Sequence, residues 1–239
     1  MHSIISALVE ALKTLLHPKM LSLVLWPMLV ATVLWMGAAI LFWGNWSGSL
    51  TAMLQTTSLE QWMSHGFLAV LSHYLISIIL VLLLLPAIYV TALMITAVFA
   101  MPVMVNHVAG KYYPELERKQ GGSAVGSIAN AALAIAVYCA GWVLSLPLWL
   151  FSPFALVLPV LLTAWLNQRL FRYDALAEHA SRAEYRQLVG RCSVKLYLLG
   201  VAVGVLQFVP LLGLLLPVYV GLAFIHLCLA ELKQLRQSA

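Results

Sequence analysis

The chain has 239 residues, of which 63% are hydrophobic and only 9% charged, and it carries a formal net charge of +5. An ordinary soluble domain has about 25% charged residues, so these proportions exclude a water-soluble enzyme and point to an all-α integral membrane protein. The longest hydrophilic stretch, 167–195, is too short to bury a core of its own, so the whole of 1–239 reads as a single membrane domain.

Residues 4–17 place Ile4, Ile5, Leu8, Val9, Leu12, Leu15 and Leu16 at spacings of three and four. That is the period of an amphipathic helix, which can lie in the membrane interface. His17-Pro18 marks its end, because proline disfavours helix in the residue before it, and residues 1–19 are taken as this interfacial helix. The next segment, 20–43, is free of formal charge. As a helix it reaches about 36 Å, enough to span a hydrocarbon core of about 30 Å. Pro27 is a candidate kink, and Trp43-Gly44-Asn45-Trp46 reads as an aromatic interfacial stop. The connection 44–66 has no Lys or Arg.

The second apolar run, 67–105, also lacks formal charge. One straight helix of that length would reach roughly 58 Å, so it must tilt, kink or project into water, with Pro86 and Pro102 as expected break points. His73 lies inside this run, and an ionisable group at membrane depth is by default a functional candidate. A neutral imidazole bonded to a neighbouring helix is the plainer alternative.

Two further apolar blocks follow, each interrupted by prolines: 124–166, with Pro147, Pro153 and Pro159, and 196–230, with Pro210 and Pro217. In the second block the arms 196–209 and 218–230 each reach only about 20 Å, too short to cross. This predicts a re-entrant helical hairpin, whose tip must be buried by protein or line a wet cavity. The first block has longer arms, consistent either with two full spans or with a deeper hairpin. The repeated apolar–proline–apolar design suggests a weak internal repeat of the kind common in transporters.

All 13 Lys and Arg fall in 1–19, 106–123, 167–195 and 231–239. With spans at 20–43 and 67–105, and each later block returning to its own side, the four basic regions share one face. The positive-inside rule makes that face, and both termini, cytoplasmic. The charge is therefore a topology signal, and no nucleic-acid partner is expected. The cysteines Cys139, Cys192 and Cys228 form no C-x-x-C motif, so neither a disulfide framework nor a zinc site is expected.

The polar stretch 167–195 is read as a cytoplasmic helix, on which Glu178, Arg182 and Arg186 step by four in the orientation that favours ion pairs. Its arginines alternatively form an anion vestibule, since a guanidinium presents a planar fork of donors to an oxyanion. Asp174, Glu178 and His179 lack the second histidine and the H-E-x-x-H spacing of a metal centre. No G-x-S-x-G occurs, and Gly121-Gly122 follow no strand. No catalytic residue, metal or cofactor is expected. The anion-contact candidates are Lys19, Arg169, Arg172, His179 and Arg182, the cationic or titratable groups at the ends of the apolar blocks.

The order of these features resembles a known family. It comprises Leu16-His17-Pro18 closing an amphipathic helix, Trp26-Pro27 within a span, and Ala100-Met101-Pro102-Val103 closing a long one. Two proline-centred hairpins then flank a polar segment containing Phe171-Arg172-Tyr173-Asp174 and His179. This is similar to the CysZ-type sulfate permeases and their etoposide-induced-protein relatives, over about residues 5–230. The stretch from Arg172 to Ala180 looks closer to the etoposide-induced branch. The resemblance implies two long transmembrane helices, partly inserted hairpins and a homo-oligomer. Its permease branch implies sulfate entry across the inner membrane for cysteine synthesis. The permeases carry consecutive arginines shortly after the proline matching Pro18, where this chain has Leu21 and Ser22, with Lys19 the nearby cation. The expected function is a permease or channel for a small inorganic anion, with sulfate the suspected partner besides the lipid bilayer. The alternative is a non-transporting membrane protein that organises protein partners or lipids.

Overall fold

The structure, a computed structural model, describes residues 2–55, 67–150, 152–206, 213 and 215–238. The elements are α1 (His2–Leu15), α2 (Pro18–Gln55), α3 (Phe67–Tyr112), α4 (Ala124–Ser145), a 3-10 turn (Leu146–Leu150), α5 (Ser152–Leu176), α6 (Arg182–Leu206) and α7 (Leu216–Gln237). No strand occurs among the described residues. Among the described residues five helical stretches are long and apolar enough to cross a membrane: Pro18–Met53, Tyr74–Thr96, Val125–Leu148, Arg182–Leu206 and Leu216–Gln237. The protein is an all-α membrane protein.

Two compact units are present: Leu25–Thr96, and Met1–Val24 with Ala97–Ala239. In the first, Trp35 Nε1 donates to Thr91 Oγ1 at 2.9 Å, joining α2 to α3. Most large side chains here point outward, with Leu29 67% and Ile40 80% exposed. Outward leucine and isoleucine suit hydrocarbon as solvent.

The second unit is built around α7, which is buried on all sides from Val220 to Leu229. A helix that is apolar all round belongs inside a bundle. α1 lays Ala7, Ala11 and Leu15 against it, while Ile5 and Leu16 face outward. Tyr219 donates its hydroxyl to the Leu8 carbonyl at 3.2 Å, and Thr14 Oγ1 lies 3.0 Å from His226 Nε2. α4 and α5 run antiparallel, paired through Asn130 Nδ2 donating to the Arg169 carbonyl at 3.1 Å and through Ser127 Oγ on Asp174. α5 and α6 approach backbone to backbone. A Cβ on Gly200 would lie 2.6 Å from the Ala164 carbonyl, and Gly204 faces Val160. Small residues four apart permit this close crossing in membranes.

Several sequence expectations change. α2 continues through Trp43–Trp46 to Gln55, and α3 continues through Pro86 and Pro102 to Tyr112, so neither proline ends its helix. The helical arms of the second hairpin extend beyond its apolar block on both sides. α6 has 25 residues and α7 has 22, roughly 37 and 33 Å, because each continues helically into polar sequence. Short arms therefore no longer argue for re-entry. What lets α7 continue past Ala230 is pairing: Glu231 binds Lys195, Lys233 pairs with Glu115, and Arg236 binds Glu184. The hairpin tip at Pro210 and the side chain of His73 lie outside the described residues.

The stretch 167–195 is not one helix. α5 ends at Leu176, residues 177–181 turn, and α6 starts at Arg182. Ser181 and Glu184 form a capping box: the Ser181 N–H donates to Glu184 Oε2 at 2.8 Å, and the Glu184 N–H donates to Ser181 Oγ at 3.2 Å. The N–H groups of Gln120, Gly121 and Gly122 donate to the carbonyls of Glu178, Ala180 and Ala177, satisfying acceptors that the end of α5 leaves open. Gln120 takes a positive φ of 45° to enter this clamp.

Candidate anion site

The last turns of α5 present two different faces. Arg169 and Arg172 lie toward Tyr185 on α6, within electrostatic range of its phenol. The Arg169 guanidinium sits over the Trp165 ring, 5.6 Å from its centroid, and Arg172 Nη1 donates to Gln168 Oε1 at 2.8 Å. In both, Nε is buried with no acceptor. Among the described residues no carboxylate lies within ion-pair distance of either. Both residues are half-buried, each with one Nε–H enclosed, and among the described residues no protein carboxylate is placed to receive it. Asp174 takes the opposite face, accepts from Ser127, and has its proton affinity raised by burial.

The other three candidates separate from this pair. His179 is 1% exposed, in the turn between α5 and α6, with Nδ1 buried and without a hydrogen-bond partner. Burial, and next the nearby Arg118 charge, push its pKa below the usual histidine value. Its carbonyl accepts from Arg236 Nη2 at 2.6 Å. An imidazole this enclosed is poorly placed as a first anion contact. Arg182 is exposed at the start of α6. The helical Glu178–Arg182 pair does not form, because Glu178 lies in the turn and faces Arg118, with Arg118 Nη1 to Glu178 Oε2 at 3.6 Å.

Lys19 belongs to a different group. His17 and His107 lie ring to ring at 5.0 Å, and Lys19 and Lys111 act electrostatically on His107. Burial first, then the charges of His17, Lys111 and Lys19, lower the His107 pKa, and its Nε2 is buried without a partner. The sequence reading missed His17, His107 and Lys111, since a separation of about ninety residues gives no local signal. It also missed Arg236 and Glu184. The Ser181-x-x-Glu184 spacing could have marked the latter as a helix start.

Among the described residues no group of histidine, cysteine, aspartate and glutamate is arranged to hold a metal. The chemistry the arrangement offers is electrostatic: half-buried guanidinium donors and a cluster of histidine and lysine. No curated protein and no solved structure matches the chain. The profile of the family described as sulfate transporter CysZ/etoposide-induced protein 2.4 matches residues 7–217. The match covers most of the chain, including both long apolar runs, the first hairpin and the arginine pair on α5, and the protein belongs to that family.

Proposed function

We propose that the protein passes a small inorganic anion across the inner membrane, with sulfate for cysteine synthesis as the first substrate to test. The family is one of transporters. The observation that carries the reading is the pair Arg169 and Arg172, two guanidinium groups with buried, unaccepted Nε donors and no carboxylate partner among the described residues. An oxyanion supplies the acceptors they lack, and guanidinium forks suit it geometrically. Lys19 and Lys111, beside His17 and His107, form a second group of cations. In this reading 1–239 is one membrane domain, the basic stretches face the cytoplasm, and the working unit is a homo-oligomer.

A second reading, a membrane protein that organises partners or lipids, draws on one observation. By the resemblance, Leu21 and Ser22 fall where the permeases carry arginines, and Ser22 Oγ donates to the Lys19 carbonyl at 2.9 Å. Uptake of labelled sulfate, sulfite and chloride into proteoliposomes separates the two. The transport reading expects sulfate entry well above that of empty vesicles and competed by sulfite. Uptake equal to empty vesicles for all three anions rejects it and favours the organising role.

A further inference from the structure

On the face of α5 opposite the arginine pair, a cavity of about 700 Å³ opens among α3, α4, the 113–123 connection and the end of α5. Its lining divides by chemistry. Met101, Val105 and Ile128 make an apolar floor, while Arg118, Glu178 and Ser127 stand at a polar rim. Ile128 is 70% exposed and shares the outer surface of α4 with Val125, which is 77% exposed, so the cavity is open to the side that carries apolar residues. It lies where the apolar part of α4 meets the polar connection.

The rim holds one charge of each sign, in a loose ion pair that no hydrogen bond closes. Arg118 Nη2 donates to Asn106 Oδ1 at 2.6 Å, leaving most of its five N–H donors uncommitted. Glu178 Oε2 is 3.6 Å from Arg118 Nη1, beyond hydrogen-bond distance. The third titratable side chain, Asp174, is half-buried, and its carboxylate is occupied by the Ser127 hydroxyl. Burial raises its pKa, and the Ser127 hydrogen bond opposes that rise. What the rim offers is thus a cation and an anion side by side above an apolar floor. That combination matches a molecule with a phosphate, an ammonium and a hydrocarbon chain.

We propose that this cavity seats a zwitterionic aminophospholipid, with its phosphate on Arg118, its primary ammonium on Glu178 and the start of an acyl chain along Met101, Val105 and Ile128. The primary ammonium matters, because its N–H gives the Glu178 carboxylate a charge-assisted hydrogen bond that a trimethylated headgroup of equal charge cannot make. An anionic lipid such as phosphatidylglycerol meets Arg118 but brings no positive charge to Glu178, only neutral hydroxyl donors. The proposal is independent of the transport reading.

The test is native mass spectrometry of the delipidated full chain, offered equal amounts of phosphatidylethanolamine, phosphatidylcholine and phosphatidylglycerol of identical chains. The wild type should retain phosphatidylethanolamine roughly tenfold over phosphatidylcholine, the difference expected for one charge-assisted hydrogen bond. Glu178→Gln should remove that preference while keeping binding of all three. Arg118→Gln should weaken all three several-fold. Equal retention of the three lipids by the wild type overturns the proposal, as does an undiminished preference in Glu178→Gln. Displacement of the lipid by millimolar inorganic phosphate would reassign the rim to a free anion. If Arg118→Gln unfolds, Glu178→Gln and the wild-type selectivity still decide.

Discussion

The two units use similar apolar side chains in opposite ways. In Leu25–Thr96 most large residues face outward, and the buried apolar ones are few among the described residues, such as Ala31, Ile76, Leu80 and Ala92. In the unit containing α7 large side chains such as Leu196, Leu199 and Phe224 are fully buried in and around that helix, and polar residues form a hub. Arg236 donates to Glu184 Oε1 at 3.0 Å and to the Glu117 carbonyl at 3.1 Å, and Lys119 reaches Glu184 Oε1 at 2.8 Å. The difference teaches that hydropathy decides which segments enter a membrane, while directional polar contacts decide which helices pack together.

The largest expected effect is at the clamp. A Cβ on Gly121 would lie 2.3 Å from the Ala180 carbonyl, against backbone that cannot yield. Gly121→Ala should destabilise by about 3 kcal/mol, at the upper end for overpacking, read as thermal unfolding in detergent. The matching change in the other unit, Gly37→Ala, meets nothing within 4 Å. It should be neutral, or stabilising by up to about 1 kcal/mol from helix propensity. Equal losses at both sites would break the comparison.

Arg236→Ala should come next, costing about 2 kcal/mol, since it leaves a carboxylate and two carbonyls short of donors. Circular dichroism melts should show the loss, together with faster hydrogen exchange at 177–184.

His179 gives a pH signature. Its pKa is lowered on folding by burial and by Arg118. The folded hub binds a proton there less readily than the unfolded chain does. The contribution is therefore complete above the ordinary histidine value of 6.5 and is lost as pH falls through the lower folded value. Stability should decline on acidification below about pH 6.5, and His179→Gln should flatten that decline. An unchanged slope in the variant would remove His179 as its source.

The smallest effect should be Trp35→Phe, about 0.6 kcal/mol for one interhelical hydrogen bond within a membrane. A loss as large as that of Arg236→Ala would mean that α2 and α3 depend on polar contacts as strongly as the hub does.

The sequence makes the all-α membrane class and the family legible, because apolar runs, proline positions and short motifs are local features. Helix ends are less legible. Trp43–Trp46 marks a change of environment, not a loss of backbone hydrogen bonds, so α2 continues across it. The i,i+4 rhythm of Glu178, Arg182 and Arg186 suggested one helix, whereas the Ser181–Glu184 capping box starts a new one. At the candidate site, Arg169 and Arg172 stand out as cations at the end of an apolar block. Their lack of a carboxylate depends on where distant helices point their side chains. The burial of His179 and the pairing of His17 with His107 are likewise products of packing between remote segments.

The most direct test of the central claim is sulfate uptake into proteoliposomes by Arg169→Gln, Arg172→Gln and Arg182→Gln, matched for inserted, folded protein. The half-buried arginines should each lower flux by roughly tenfold and weaken its dependence on ionic strength, whereas the exposed Arg182 should change flux less than twofold. Undiminished flux in both Arg169→Gln and Arg172→Gln, with a wild type that transports, would contradict the assignment of these two residues as the anion's donors.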